Sequence, residues 1–254
     1  MKRALLIRHS SSETLANNYS SVLKEQGFDI ESLNLFEAAP KYNRFCAPKL
    51  PDIDMIIVLG GPLSANDHYT ALYKEQEYIT KALSINKPIF GVCLGAQLLA
   101  KVLGATVEPT GGYQFGLRKI FITSEGASDS VFSKITIPLV PMLHGDCFSY
   151  PPRSQLLSEG IILLRNGCYK RINTAFRYKN SYGFQFEPQL TLEEFQVWNR
   201  NLFDDYKLMG NDFNPKIESA RNAREFAPFS LHHETQMREL LLAFLENANL
   251  IDIE

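Results

Sequence analysis

The sequence predicts an α/β protein: an open, mostly parallel central sheet flanked by helices, with a smaller antiparallel β section in its second half. Three observations predict it. Short, wholly apolar runs such as Met55-Ile56-Ile57-Val58-Leu59 alternate with helix-length segments as far as Gly104, the rhythm of strands buried on both faces by crossover helices. Two glycine-bearing turns, Gly60-Gly61-Pro62 and Gly91-Val92-Cys93-Leu94-Gly95, follow such runs, at the carboxyl strand ends where open α/β sheets build their sites. Beyond Gly104 helical periodicity gives way to short β-rich stretches broken by turn residues.

The elements follow in order. Residues 3–8 read as a buried strand, and Ser10-Ser11-Ser12-Glu13 as cap chemistry for a helix with Leu15, Tyr19, Val22 and Leu23 on one face, ended by Gly27. Residues 29–35 form a second strand, and 38–52, with three prolines, a loop. Residues 55–59, a helix over 69–83 and a strand over 88–92 complete the parallel part. The second half is predicted to hold strands over 105–124, 139–143, 156–165, 168–172, 174–178 and 181–186. Thr191 then caps a helix through Trp198, 201–229 is irregular with helical pieces, and 234–247 is a closing helix with Met237, Leu240, Leu241 and Phe244 inward. With no repeat, linker or low-complexity tract, the 254 residues read as one domain.

Bulk properties narrow the function. A net charge of −2 offers no field for nucleic acid or an anionic membrane. No apolar run approaches the roughly 20 residues of a spanning helix. The four cysteines, at 46, 93, 147 and 168, form no C-x-x-C pair, so a reducing cytoplasm is the expected compartment, with neither a disulfide framework nor a metal site; no cofactor is expected. Cys147 and Cys168 read as core, and His68, His232 and His233 as a helix-start residue and two surface residues.

The stretch from Pro88 to Leu103 carries the chemistry. An apolar strand turns through Gly-x-Cys-x-Gly into a helix. Such an elbow holds its middle residue in a strained turn and presents it at a helix N-terminus. Here that residue is the thiol Cys93, a side chain suited to nucleophilic attack.

With these motifs in place, the chain resembles a class I glutamine amidotransferase domain, in the stand-alone subgroup similar to the glutaminase part of GMP synthase. Gly60-Gly61-Pro62-Leu63-Ser64-Ala65-Asn66-Asp67 resembles that family's oxyanion loop, Gly91 to Gln97 its nucleophile elbow, His144-Gly145-Asp146 the loop before its last sheet strands, and Gly183-Phe184-Gln185-Phe186 the strand leading to its catalytic histidine. The resemblance covers about residues 1–198, leaving a helical extension over 199–254. It implies a flavodoxin-like three-layer sandwich and glutamine, or a γ-glutamyl compound, as small-molecule substrate. Cys93 would form a thioester, the N–H groups of Gly61 and Leu94 would hold the oxyanion, and Gly60, Gln97, His144, Gly145 and Asp146 would contact substrate. With no synthetase domain in the chain, released ammonia would need a separate acceptor protein.

One departure bears on all of this. Where the family reads Gln-Phe-His-Pro-Glu, this chain reads Gln185-Phe186-Glu187-Pro188-Gln189. The triad becomes Cys93, Glu187 and Gln189. Two like charges about 4 Å apart repel by roughly 4 kcal/mol at an effective dielectric of about 20, whereas a helix N-terminus returns about 0.3–2 kcal/mol to a thiolate. An ionised Glu187 would therefore keep Cys93 protonated. Gly111-Gly112-Tyr113-Gln114-Phe115-Gly116-Leu117 also replaces a glutamate followed by Ile-Gly-Trp, and Asn173 replaces a glutamine before Ala175-Phe176. Two readings follow: an amide hydrolase acting through Cys93, or a catalytically degenerate member that binds a ligand in the old pocket. His144 or His68 is a candidate substitute base under the first.

Overall fold

A computed structural model describes residues 1–38, 40–210 and 213–252. The parallel half runs β1 (Lys2–Arg8), α1 (Ala16–Glu25), β2 (Phe28–Asn34), β3 (Met55–Val58), α2 (Thr70–Ser84), β4 (Ile89–Val92) and α3 (Leu94–Val102). There follow β5 (Val107–Ile122), α4 (Ser124–Ser128), β6 (Leu139–Phe148), β7 (Gln155–Leu163), β8 (Tyr169–Tyr178) and β9 (Ser181–Phe184). The chain ends with α5 (Leu192–Asn201), α6 (Pro215–Phe226) and α7 (Ser230–Asn247).

The described strands form one nine-stranded sheet in the order β2-β1-β3-β4-β9-β8-β7-β5-β6. From β2 to β9 all neighbours are parallel; from β9 to β6 all are antiparallel. Every residue of β3, β4 and β9 is buried, which explains why these strands read as unbroken apolar runs. Helix α7 covers one face with Met237, Leu240, Leu241 and Phe244 fully buried, and Phe244 packs edge-on against Phe90 at 5.2 Å. Each such side chain contributes about 1.5–3 kcal/mol of burial free energy.

Several local expectations are corrected. Residues 10–13 do not cap α1: the helix starts at Ala16 without a side-chain cap, and Thr14 Oγ1 accepts from the Ala16 amide at 3.2 Å instead. The stretches 168–172 and 174–178 are one strand, because Asn173 keeps the β8 register opposite Glu159. His144-Gly145-Asp146 lies within β6 rather than in a loop; a shift in β5 between Pro109 and Gln114 lets the pairing continue past it. Residues 201–229 hold a 3₁₀ segment, Phe203–Met209, and α6, whose N-cap Asn214 precedes Pro215. Cys168 is exposed, because it follows directly on the turn at Asn166 and Gly167 that joins β7 to β8. His233 is fully buried, since α7 begins four residues earlier than the periodicity indicated and turns that ring onto Phe226 and Phe229.

Candidate functional site

Four parallel strands end on the same edge of the sheet, and each delivers one part of the site. His9 follows β1, Gly60-Gly61 follows β3, Cys93 follows β4 and Glu187 stands just beyond β9. Together with β6 and the 3₁₀ segment they surround a cavity of about 550 Å³, within the size range of small-molecule sites.

The elbow is built by close backbone approach. Cys93 sits at φ 48°, ψ −107°, a strained conformation for a residue with a side chain. A Cβ on Gly95 would lie 2.1 Å from the Val58 carbonyl oxygen, so only glycine lets α3 leave the strand at this spacing. The Cys93 amide donates to the Phe184 carbonyl at 2.8 Å, tying the turn to β9. Its Sγ lies 3.6 Å from the Leu143 carbonyl, to which the thiol can donate, and 3.7 Å from Gln185 Nε2.

The β3 loop is held from behind. His9 is fully buried; its Nδ1–H donates to the Gly60 carbonyl at 3.1 Å, and Nε2 meets Glu75 Oε2 at 2.9 Å. Because a peptide is planar and trans, a Gly60 carbonyl turned toward His9 leaves the Gly61 N–H directed away from it, and Gly61 lines the cavity. Burial, the largest single influence, lowers the basicity of His9, but the Glu75 carboxylate and the Gly60 and Leu59 backbone together set the ring above its ordinary value. A Cβ on Gly61 would lie 2.5 Å from His9 Cβ.

Three acid groups converge at the centre. A methyl group on Gly60 would lie 3.3 Å from Cys93 Cβ, from Glu13 Oε2 and from Glu187 Oε1. Burial, then the charges of Glu187 and Glu13, hold the Cys93 thiol well above its ordinary value, and the Leu94 amide only partly opposes them. Burial pushes Glu187 up to about 7, against hydrogen bonding from Gln189 and Cys93. Glu13 stands well above the usual carboxylate range, through burial first and Glu187 second.

The expected substitute bases are elsewhere or occupied. His144 is buried with its ring nitrogens facing the Asp146 carbonyl at 2.9 Å and the Gln114 side-chain amide at 3.0 Å, and burial lowers it to about 4. His68 is exposed beside Tyr73 at the start of α2, outside the cavity lining.

Of the residues singled out from sequence, Cys93, Glu187, Gly61 and Leu94 line the cavity together. Gln97, His144, Gly145 and Asp146 line it as well, and Gln97 Nε2 bonds the Asp146 carbonyl and Gln185 Oε1. Gly60 and Gln189 stand behind the wall, Gln189 donating to Glu187 Oε2 at 2.8 Å. Sequence reasoning missed Glu13, His9 and Glu75, which carry no motif. It also missed the contribution of the C-terminal region: Leu202 and Asp205 line the cavity, and Asp205 accepts from the Tyr113 hydroxyl at 2.8 Å.

A thiol held on a strained strand–helix turn beside a glycine loop, both on the cavity wall, defines an α/β protein with a strand–turn–helix elbow. The family model for glutamine amidotransferase class-I matches residues 12–205, and the chain belongs to that family. It is 28% identical over 200 residues to the glutamine amidotransferase-like protein YfeJ of Salmonella typhimurium, covering 75% of this chain and 77% of the relative. A glutamine-hydrolyzing GMP synthase subunit from Sulfurisphaera tokodaii is 32% identical over 143 residues, 56% of this chain and 70% of that one. The full GMP synthase of Cytophaga hutchinsonii is matched over 30% of its length. In fold the chain is similar to a glutamine amidotransferase of Thermotoga maritima, with a TM-score of 0.77 at 24% identity over 96% of this chain and 98% of the other. A second, from Methylobacillus flagellatus, has a TM-score of 0.79 at 18% identity over 97% and 95%. Among the described residues, no helix is long and apolar enough to cross a membrane.

Proposed function

We propose that this chain is a catalytically suppressed glutamine amidotransferase-like protein whose cavity binds a small molecule and whose Cys93 turns glutamine over slowly at best. One observation carries the reading: the reacting centre holds Glu187 in place of an imidazole, with Glu13 beside it, so the thiol has two carboxyl neighbours and no imidazole paired to it. Both carboxyls favour the protonated thiol, and a missing general base alone commonly costs about 10²–10⁴ in rate. The second reading, an amide hydrolase in which Glu187 and Cys93 share a proton, draws support from the strained elbow. Under it the Gly61 and Leu94 amides are the oxyanion donors, Gln97, Gly145 and Asp146 contact glutamine or a γ-glutamyl compound, and ammonia passes to a separate acceptor protein.

The test is glutamate release from glutamine by wild type, Cys93→Ala and the double variant Glu187→His with Gln189→Glu. The suppressed reading expects wild type to match Cys93→Ala and the double variant to exceed both by about 10²-fold or more, the recovery of a general base. It also expects iodoacetamide to label the exposed Cys46 and Cys168 before Cys93 at neutral pH, since the thiolate is the reactive form. Brisk wild-type turnover abolished by Cys93→Ala would establish the hydrolase.

A further inference from the structure

Glu13 is the group in the cavity that neither fold nor family explains. It is 7% exposed, it lines the cavity, and its Oε2 is buried without any hydrogen-bond partner. A buried carboxyl oxygen left unpaired is costly, and a donor on a molecule bound in the cavity would satisfy it. Its surroundings specify that donor. Asp146, Glu187 and Asp205 line the same cavity, while no described lysine or arginine does. Asp146 is satisfied by the Ser64 hydroxyl and Asp205 by that of Tyr113, each at 2.8 Å, and Glu187 Oε2 by Gln189. The unpaired Glu13 Oε2 reaches the same side of Gly60 as Glu187 Oε1, the carboxyl that the Cys93 thiol also meets.

We infer that the cavity is built to take a ligand bearing a primary ammonium group, seated between Glu13 and Glu187 against Cys93. An ammonium is compact and carries three rotatable donors, which suits two oxygens arriving from different strand ends. A guanidinium prefers the two oxygens of one carboxylate in a planar fork. A metal ion fits less well: no cluster of three or more His, Cys, Asp or Glu among the described residues has the geometry to hold one. Pro62, Leu63, Leu143 and Leu202 on the cavity wall suit an aliphatic body beyond the ammonium. The assignment gives the ligand class for the binding pocket proposed above and rests on that reading only in treating the cavity as a binding site.

Binding would also release protons. Glu13 faces Glu187 and, from β1 and the residue after it, Arg8 and His9; Cys93 faces both carboxyls from the start of α3. An ammonium placed between the carboxyls favours their ionised forms.

Isothermal titration calorimetry with n-butylamine and 1,4-diaminobutane at pH 7.5, against glutarate and guanidinium chloride, tests this. The expected result is saturable binding of both amines to wild type and at least a tenfold loss in Glu13→Gln and in Glu187→Gln. Glutarate should not bind, guanidinium should bind more weakly than n-butylamine, and the amine enthalpy should vary with the buffer as protons are released. Folding of both variants is checked by their urea transitions, and either one suffices for the comparison. Unchanged amine binding in a folded variant, preferred binding of glutarate or guanidinium, or no amine binding at millimolar concentration overturns the inference. Glutamine turnover is measured separately: its presence would remove the suppressed-thiol reading and leave an amine result standing, and the reverse also holds.

Discussion

Replacing Glu187 by glutamine should make the protein more stable, and increasingly so as pH rises. Glu187 is 1% exposed, and burial raises it from an ordinary 4.5 to about 7. A group whose folded value is raised binds its proton more tightly when folded. Its favourable contribution is therefore fully present below pH 4.5 and is lost as pH climbs through 7. At about 1.36 kcal/mol for each pH unit, that interval corresponds to about 3 kcal/mol. A glutamine at this position would keep the shape, and its carbonyl would still accept from Gln189, while carrying no proton to lose. The variant should match wild type near pH 4.5 and exceed it by about 3 kcal/mol at pH 8, or about 6–12 °C in Tm for a chain of this size. Urea unfolding and thermal melts at pH 5, 6, 7 and 8 measure it. Glu13→Gln should act in the same direction. The double variant should gain less than the two singles together, because the Glu187 charge is part of what holds Glu13 up. Equal stability of Glu187→Gln and wild type at pH 8 would refute the burial argument.

Two further outcomes follow from the surrounding architecture. Cutting either partner of the fully buried His9–Glu75 pair should cost about 3–5 kcal/mol by stranding the other charge, with His9→Leu and Glu75→Leu together recovering much of it. Because His9 is set above its ordinary value, the loss in Glu75→Gln should be larger at pH 6 than at pH 8, as urea midpoints at the two values will record. Gly95→Ala places a Cβ 2.1 Å from the Val58 carbonyl and should lower stability by about 1–3 kcal/mol or more through overpacking; an unchanged Tm would mean that α3 and β3 are not held at this spacing.

Sequence and tertiary structure divide the protein along physical lines. Much of what depends on neighbours in the chain was legible. The apolar runs of β3 and β4, the Gly-x-Cys-x-Gly elbow, the glycine loop, the Thr191 cap and the exchange of a histidine for Glu187 are local patterns, each set by backbone geometry or by one residue's chemistry. The strand boundaries that failed did so where pairing across the sheet overrides local signals, as in β6 and β8, and the starts of α1 and α7 failed where helix ends lack a side-chain cap. What the fold alone decided was which distant residues meet. Glu13 reads locally as cap chemistry, yet the parallel order β1-β3-β4-β9 carries it to the same point as Cys93 and Glu187. His9 and Glu75 stand 66 positions apart and become one buried pair. Burial then fixes the proton positions. The sequence by itself determined that a thiol stands on an elbow without its histidine; the packing determined that the thiol is flanked by two carboxyls in a cavity that no described lysine or arginine lines, because charge state depends on desolvation and on neighbours that chain order does not reveal.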